Sequence, residues 1–160
     1  MTDPLPGLRA RVDAFLQAHH VMTLATAGEQ GPWAAAVFYA PQRSASCWDL
    51  FFLSAPRTRH AVDLARDPRV AITIQRDYDD WPEITGVQAE GRVERLDGDA
   101  RDHARSLYAQ RFPLVGRAPA RIAEALARVH WYRVVPARLF LIDNRLGFGH
   151  RDAIDCSGAG

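Results

Sequence analysis

The segment with the clearest chemical character is residues 54–60, with the sequence SAPRTRH. It follows the largely apolar run 47–53 and precedes a helical pattern, so it joins a buried strand to a helix. Guanidinium groups and hydroxyls are directed donors for a phosphate dianion, and the first amides of a helix add partial positive charge. The segment therefore predicts a phosphate-binding turn. The alternative is a solvated turn, because loop charges usually remain exposed. The predicted phosphate contacts are Ser54, Arg57, Thr58, Arg59 and His60.

Composition limits the other functions open to this chain. Its 160 residues are 48% hydrophobic, which is enough for one domain with a core, and its formal net charge of +1 predicts no nucleic-acid partner. All 20 basic residues are arginine, which excludes a Schiff-base or P-loop lysine. Cys47 and Cys156 form no CxxC pair, so neither a zinc framework nor a redox dithiol is predicted. No histidine spacing matches a metal-ligand motif, and we interpret Cys47 as a core residue.

The ends and apolar runs of the sequence bear on its location. The first residues are acidic and interrupted by prolines, unlike a signal peptide. The longest apolar run, residues 33–40, is too short to cross a bilayer. We therefore expect a cytoplasmic protein that does not bind membranes.

Hydrophobic periodicity predicts the elements that position the 54–60 turn. Six strands with short connections and isolated helices favour an α+β fold, in which a mainly antiparallel sheet closes into a small barrel. Residues 1–150 would form one domain, and residues 151–160 a flexible tail. The predicted strands are 21–27, 33–40, 47–54, 69–75, 83–96 and 131–143, and the predicted helices are 8–19, 58–67, 97–112 and 119–129.

Three residues inside the predicted strands indicate irregular pairing. Gly86 and Gly91 predict a bend or bulge in the fifth strand, and Pro136 predicts an edge or bulge in the last. The spacing between the second and third strands fits a hairpin. These features are typical of a curved antiparallel sheet.

Several segments in order resemble the pyridoxamine 5'-phosphate oxidase-like family, flavoproteins with a split-barrel fold. LFFLSAPRTRHAVDL is similar to the strand, turn and helix in which that family holds the FMN phosphate. GPWAAAVFY resembles the preceding strand, GVQAEGRVERL a strand with a flavin-contacting glutamine, and WYRVVPARLFLIDN the closing strand. TRHAVDL, GVQAEG, YAQRFP and DNRLGFGHR are similar to the bacterial YhbP-type branch.

The resemblance implies a six-stranded split β-barrel with peripheral helices that binds FMN as a homodimer, with the site at the subunit interface. In this family the turn carries Thr, Ser, Arg and Lys, which correspond here to Ser54, Thr58, Arg59 and His60. Small side chains at 34–36 would let the flavin ring lie against the 34–37 backbone. The cofactor-binding residues implied are Ala34, Ala35, Ala36, Val37, Ser54, Arg57, Thr58, Arg59, His60, Gln88, Trp131, Asn144 and Arg145.

Two departures from the oxidases bear on the activity. His60 replaces a lysine, so one permanent charge becomes titratable near neutral pH. The R-x-H sequence that grips pyridoxamine phosphate is not reproduced in the segment NRLGFGHRD. We therefore expect an FMN-binding flavoprotein, a small oxidoreductase with an unassigned small-molecule substrate and no assigned catalytic residue.

Two alternatives to that function remain open at the level of sequence. One is a non-catalytic split barrel that binds haem or another phosphate-bearing ligand, with His60, His130 or His150 as the axial ligand. The other is a scaffold with a vestigial pocket. A flavin spectrum, a haem spectrum or neither would distinguish the three.

Overall fold

A computed structural model describes residues 6–158 as an antiparallel sheet of eight strands with five helices. The strands are β1 (Val21–Gly28), β2 (Gly31–Phe38), β3 (Ala40–Arg43), β4 (Trp48–Ser54), β5 (Arg69–Ile74), β6 (Thr85–Leu96), β7 (His130–Asp143) and β8 (Arg151–Asp155). The helices are α1 (Pro6–Ala18), α2 (Arg59–Arg66), α3 (Gly98–Arg111), α4 (Pro113–Gly116) and α5 (Ala120–Leu126), with 3₁₀ turns at Trp81–Glu83 and Asn144–Leu146. The predicted α+β class is confirmed.

The sheet curls because its two edge strands follow one another in the chain. The strand order is β2-β1-β5-β6-β7-β4-β3, with β8 paired to β7, and only Tyr39 separates β2 from β3. The Tyr39 N–H donates to the His20 carbonyl at 3.0 Å, and its buried hydroxyl donates to the Leu16 carbonyl at 2.8 Å. The two edges are therefore brought together, which gives the barrel that the strand pattern predicts.

Alternating side chains divide the apolar residues between two cores. The main core lies inside the barrel and is closed by one face of α1, with Leu8, Val12 and Leu16 buried. A smaller core lies under α3, where Tyr108 packs against Trp131 with their ring centroids 5.4 Å apart. Burial of these faces stabilises the fold mainly through the hydrophobic effect.

The predicted second strand, 33–40, is wrong in its extent because the chain changes sheet edge at Tyr39. Residues 40–43 form β3 instead, and β3 pairs with β4. The expected hairpin between the second and third predicted strands is therefore replaced by a β3–β4 hairpin, closed by the Ser44 N–H to the Cys47 carbonyl at 3.0 Å. β2 pairs with β1.

Much of the predicted flexible tail is ordered. Residues 151–155 form β8 against residues 138–142 of β7, and Ile154 is buried in the main core. Cys156 is bonded to Cys47 in a disulfide, which the sequence did not predict. The strand was missed because only one large apolar residue marks it. Residues 159–160 lie outside the described residues.

The predicted irregularities at Gly91 and Pro136 are confirmed and occur at one place, whereas the one predicted at Gly86 is wrong, because Gly86 pairs with Ile142 in regular register. The β6–β7 register shifts between Glu90 and Gly91, with Pro136 opposite Gly91. A Cβ atom on Gly91 would lie 2.2 Å from the Val135 carbonyl oxygen, so the close approach requires glycine. Pro136 also falls between the β7 residues that pair with β4 and those that pair with β8, so it lies at a bulge and at a gap in the pairing, as expected for a proline in a strand.

Within residues 6–158, no helix has the length and apolar character needed to cross a membrane.

Candidate anion and cofactor site

The turn between β4 and α2 is fixed by hydrogen bonds among three of its predicted site residues. Ser54 Oγ lies 2.6 Å from His60 Nε2 and 3.0 Å from Thr58 Oγ1, which is itself 3.1 Å from His60 Nε2. Thr58 is also the N-cap of α2 and accepts from the Ala61 N–H. Burial, opposed by nearby Asp63, lowers the pKa of His60, so the neutral imidazole is favoured. This cluster shapes the turn but supplies no charge at neutral pH.

Arg59 is held against the end of the β1–β2 hairpin. Its Nη2 donates to the Gly31 carbonyl at 3.1 Å, where a φ of +89° suits glycine, and its Cζ lies 4.8 Å from the centroid of the Trp33 ring. Its Nε lies 3.9 Å from Asp63 Oδ2 and is buried without a hydrogen-bond partner. The side chain is 28% exposed, so Arg59 is neither free in solvent nor paired with a surface carboxylate.

A pocket of about 300 Å³ opens beside Arg59, and we call it the anion pocket. Arg57, Arg59 and Arg66 contribute three positive charges, against two carboxylates. One carboxylate, Asp63, is buried and accepts a hydrogen bond from Thr26 at 2.9 Å. The lining residues are Glu29, Gln30, Arg57, Arg59, Val62, Asp63 and Arg66.

Three charged residues of this pocket, Glu29, Asp63 and Arg66, are not among the residues predicted from sequence, and Arg66 forms an ion pair with Glu29. Arg66 could have been found, because it lies seven residues after Arg59 on the same helix and such positions share a face. Glu29 comes from the β1–β2 turn, and only the fold brings it to α2.

The predicted ring-binding residues of β2 divide between the two faces of the sheet. Ala34 and Ala36 are exposed on the outer face, whereas Ala35 and Val37 are half-buried and Val37 packs against the main core. β2 is an edge strand, so every second residue directs its backbone N–H and C=O away from the sheet.

Gln88 lies on the outer face, but far from β2. Ala36, Thr23, Thr73 and Gln88 are successive partners across four strands. Three strand spacings separate Ala36 from Gln88 by about 14 Å. Gln88 instead lines a recess of about 320 Å³ with Phe140 and Arg151, in which Arg151 Nη2 donates to Gln88 Oε1 at 2.9 Å. The structure thus does not bring Gln88 to the anion pocket.

Comparison with known proteins gives the family. Residues 8–143 match the sequence model of the pyridoxamine 5'-phosphate oxidase family. The chain belongs to this family. A UPF0306 protein of Enterobacter sp. (strain 638) is 34% identical over 144 residues, which cover 89% of this chain and 92% of that protein. The resemblance to the family, and to its YhbP-type branch, is confirmed.

Solved structures share the split-barrel fold of the family. A heme binding protein from Mycobacterium smegmatis superposes with a TM-score of 0.74 at 22% identity, covering 98% of this chain and 60% of that one. HutZ, the heme storage protein from Vibrio cholerae, superposes with a TM-score of 0.66 at 19% identity, covering 84% of this chain and 94% of that one. At these identities the likeness shows the fold alone.

Three residues that the family resemblance assigned to the cofactor lie outside both cavities described above. Trp131 is 4% exposed in the core under α3. Asn144 Nδ2 donates to the Trp81 carbonyl at 2.9 Å, which ties two loops together. Arg145 donates to both carboxylate oxygens of Asp143, and this pairing holds the pKa of Asp143 down at about 2. In one subunit their contacts are structural.

The described residues also bear on metal binding. Among residues 6–158, no three or more His, Cys, Asp or Glu side chains are arranged to hold a metal ion. The acidic loop before β6 uses Asp80 to cap a 3₁₀ turn by accepting from the Trp81 N–H at 2.8 Å.

Proposed function

We propose that this protein binds FMN, with the phosphate in the anion pocket and the ring along β2. The observation that carries the proposal is the Arg59 side chain, which lines the anion pocket, is 28% exposed and has a buried Nε without a hydrogen-bond partner. Leaving a buried donor unsatisfied costs about 1–3 kcal/mol. A phosphate in the pocket would compensate this cost through charge-assisted bonds to the accessible part of the Arg59 side chain.

The other groups around the pocket support this assignment. Asp63, fixed by Thr26, lies on one side of Arg59, and the Trp33 ring lies against its guanidinium, so the fork is oriented before any ligand arrives. Arg57 is exposed at the turn and free to move toward a phosphate. Because His60 is held neutral, the positive charge of the site comes from arginine alone.

The ring would lie against a strand suited to flat ligands. Ala34 and Ala36 carry no atoms beyond Cβ, and the free edge of β2 offers backbone donors and acceptors to a pyrimidine edge. Bound flavin supplies the redox chemistry, and the protein orients it. We propose a small oxidoreductase acting on an unassigned small molecule, and a homodimer whose second subunit completes the site.

Titration with FMN tests the proposal. We expect the purified protein to quench FMN fluorescence on binding, and Arg59→Ala to weaken the affinity by about tenfold or more. Arg101→Ala is the matched control, because Arg101 is an exposed helical arginine paired with Asp102 and lies on α3. Absence of binding at high micromolar FMN, or equal affinities for the wild type and Arg59→Ala, would refute the proposal.

Haem is the second candidate, favoured by the likeness to the heme binding protein of Mycobacterium smegmatis and to HutZ. The histidine best placed to bind it is His130, which lines a pocket and whose pKa is lowered by burial, so that the ligating neutral form is favoured. A haemin titration decides between the candidates. A Soret band that His130→Ala removes, in a protein that does not bind FMN, would replace flavin by haem.

A further inference from the structure

A second pocket adjoins the anion pocket across one ridge of α2, and we call it the adjoining pocket. It has a volume of about 270 Å³ and lies between α2 and strands β6 and β7. Val62 and Arg66 line both pockets, so a ligand that leaves the anion pocket over this ridge enters the second one directly. Its lining residues are Pro56, Ala61, Val62, Leu64, Ala65, Arg66, Val93, Arg95, His130 and Tyr132.

The walls of the adjoining pocket are apolar at depth and cationic at the rim. Leu64 and Val93 are buried, and the rings of His130 and Tyr132 lie edge to face with their centroids 6.2 Å apart. Arg95 is exposed at the rim, and its Nη2 lies 4.0 Å from Asp97 Oδ1, which is a long ion pair. Apolar walls with ring side chains suit a heterocyclic base, and rim arginines suit phosphate.

The order of these groups matches a dinucleotide. FAD is FMN with an adenylate attached to its phosphate. When the FMN phosphate occupies the anion pocket, the second phosphate and the adenine base of FAD must therefore extend out of that pocket. Arg66 on the shared ridge is placed for the second phosphate, and His130 and Tyr132 for the base. We propose that the adjoining pocket holds the adenosine end of a dinucleotide, so that this protein prefers FAD to FMN.

This inference rests on the proposed flavin function, and a comparison of two flavins separates the two claims. We expect FAD to bind at least about tenfold more tightly than FMN. Ala65→Phe places a ring in the adjoining pocket from an exposed position of α2, so it should remove the preference and leave FMN affinity unchanged. Arg95→Gln removes a positive charge without adding bulk to the adjoining pocket. It should weaken the binding of FAD and leave the binding of FMN unchanged.

Ala100→Phe is the matched control, because Ala100 is an exposed helical alanine on α3. Circular dichroism melting of each variant checks that the fold is retained. Equal affinities for FMN and FAD in the wild type, or an equal loss of both in Ala65→Phe, would overturn the inference and leave FMN binding standing. A protein that binds neither flavin would overturn both proposals.

Discussion

At the scale of single residues, Arg59 of α2 is in contact with an aromatic side chain of strand β2. The Arg59 guanidinium lies over Trp33, which is 42% exposed on β2. Cation–π contacts of this kind contribute about 0.5–2 kcal/mol. If the anion pocket binds the phosphate of FMN as proposed, Trp33 would act as a positioning residue that orients the guanidinium.

Substitution of Trp33 tests this role. We expect Trp33→Leu to weaken FMN binding by about three- to thirtyfold, which corresponds to the energy of the cation–π contact. Trp33→Phe keeps an aromatic ring and should retain most of the affinity. Trp81→Leu is the control, since Trp81 is exposed and stacks on Phe148. Calorimetric titration gives the affinities. If Trp33→Phe loses as much affinity as Trp33→Leu, the guanidinium is not positioned through the ring face.

The residues of the turn show how far sequence can predict a site. The types and spacing in SAPRTRH were sufficient to predict a cationic turn at a strand–helix junction, and the structure has one. Which groups remain available could not be predicted, because it depends on tertiary pairing. Ser54, Thr58 and His60 satisfy one another, whereas Arg59 keeps an unpartnered donor.

At the scale of elements, the disulfide joins two strands that the sequence leaves far apart. Cys47 precedes β4 and Cys156 follows β8, at a sequence separation of 109. Next to it, the Ser46 hydroxyl donates to the Cys156 carbonyl at 2.8 Å. The end of β8 is thereby fastened to the sheet, and β8 carries Arg151, which donates to Gln88.

Disulfides are rare in the reducing cytoplasm, so the bond does not favour the predicted cytoplasmic location.

Removal of the disulfide should lower stability. We expect the Cys47→Ser/Cys156→Ser variant to melt about 5–10 °C below the oxidised wild type, because a cross-link of this span contributes about 2–4 kcal/mol. Reductant should lower the melting temperature of the wild type similarly and leave the variant unchanged. Differential scanning calorimetry with and without reductant measures this. An oxidised wild type that melts with the variant would show that the bond does not stabilise the fold.

The two strands that sequence failed to predict, β3 and β8, share a physical cause. β3 and β8 are short, and each depends on a partner strand brought by distant chain: β4 for β3, and β7 for β8. Neither has the alternating apolar pattern that identified β1, β5 and β6. The structure of a long periodic segment can be predicted from its own sequence, whereas a short edge strand forms only because a partner strand pairs with it.

At the scale of the whole molecule, the outer face of the sheet has the character of a contact surface. Two rows of small side chains cross β2, β1 and β5, namely Ala36, Thr23 and Thr73 in one and Ala34, Ala25 and Ala71 in the other. The exposed residues Val21 and Phe38 form the next cross-strand pair beside Thr23 and Ala36. The face is built mainly of small side chains, contains the recess described above and lies next to the free edge of β2, and edges of this kind are normally covered. We expect a second copy of the chain to cover it.

A charge placed in the centre of this face should separate the subunits. Ala71 is exposed and points outward from β5, so Ala71→Arg should fold normally but disfavour burial of the face against another copy. We expect light scattering to give a dimer mass for the wild type and for Ala100→Arg, a control on α3, and a monomer mass for Ala71→Arg.

If the partner completes the flavin site, the monomeric variant should also bind FMN more weakly, although Ala71 does not line the anion pocket. A wild type that is monomeric at micromolar concentration would contradict the shared site, and a monomeric Ala71→Arg with unchanged FMN affinity would place the whole site within one subunit.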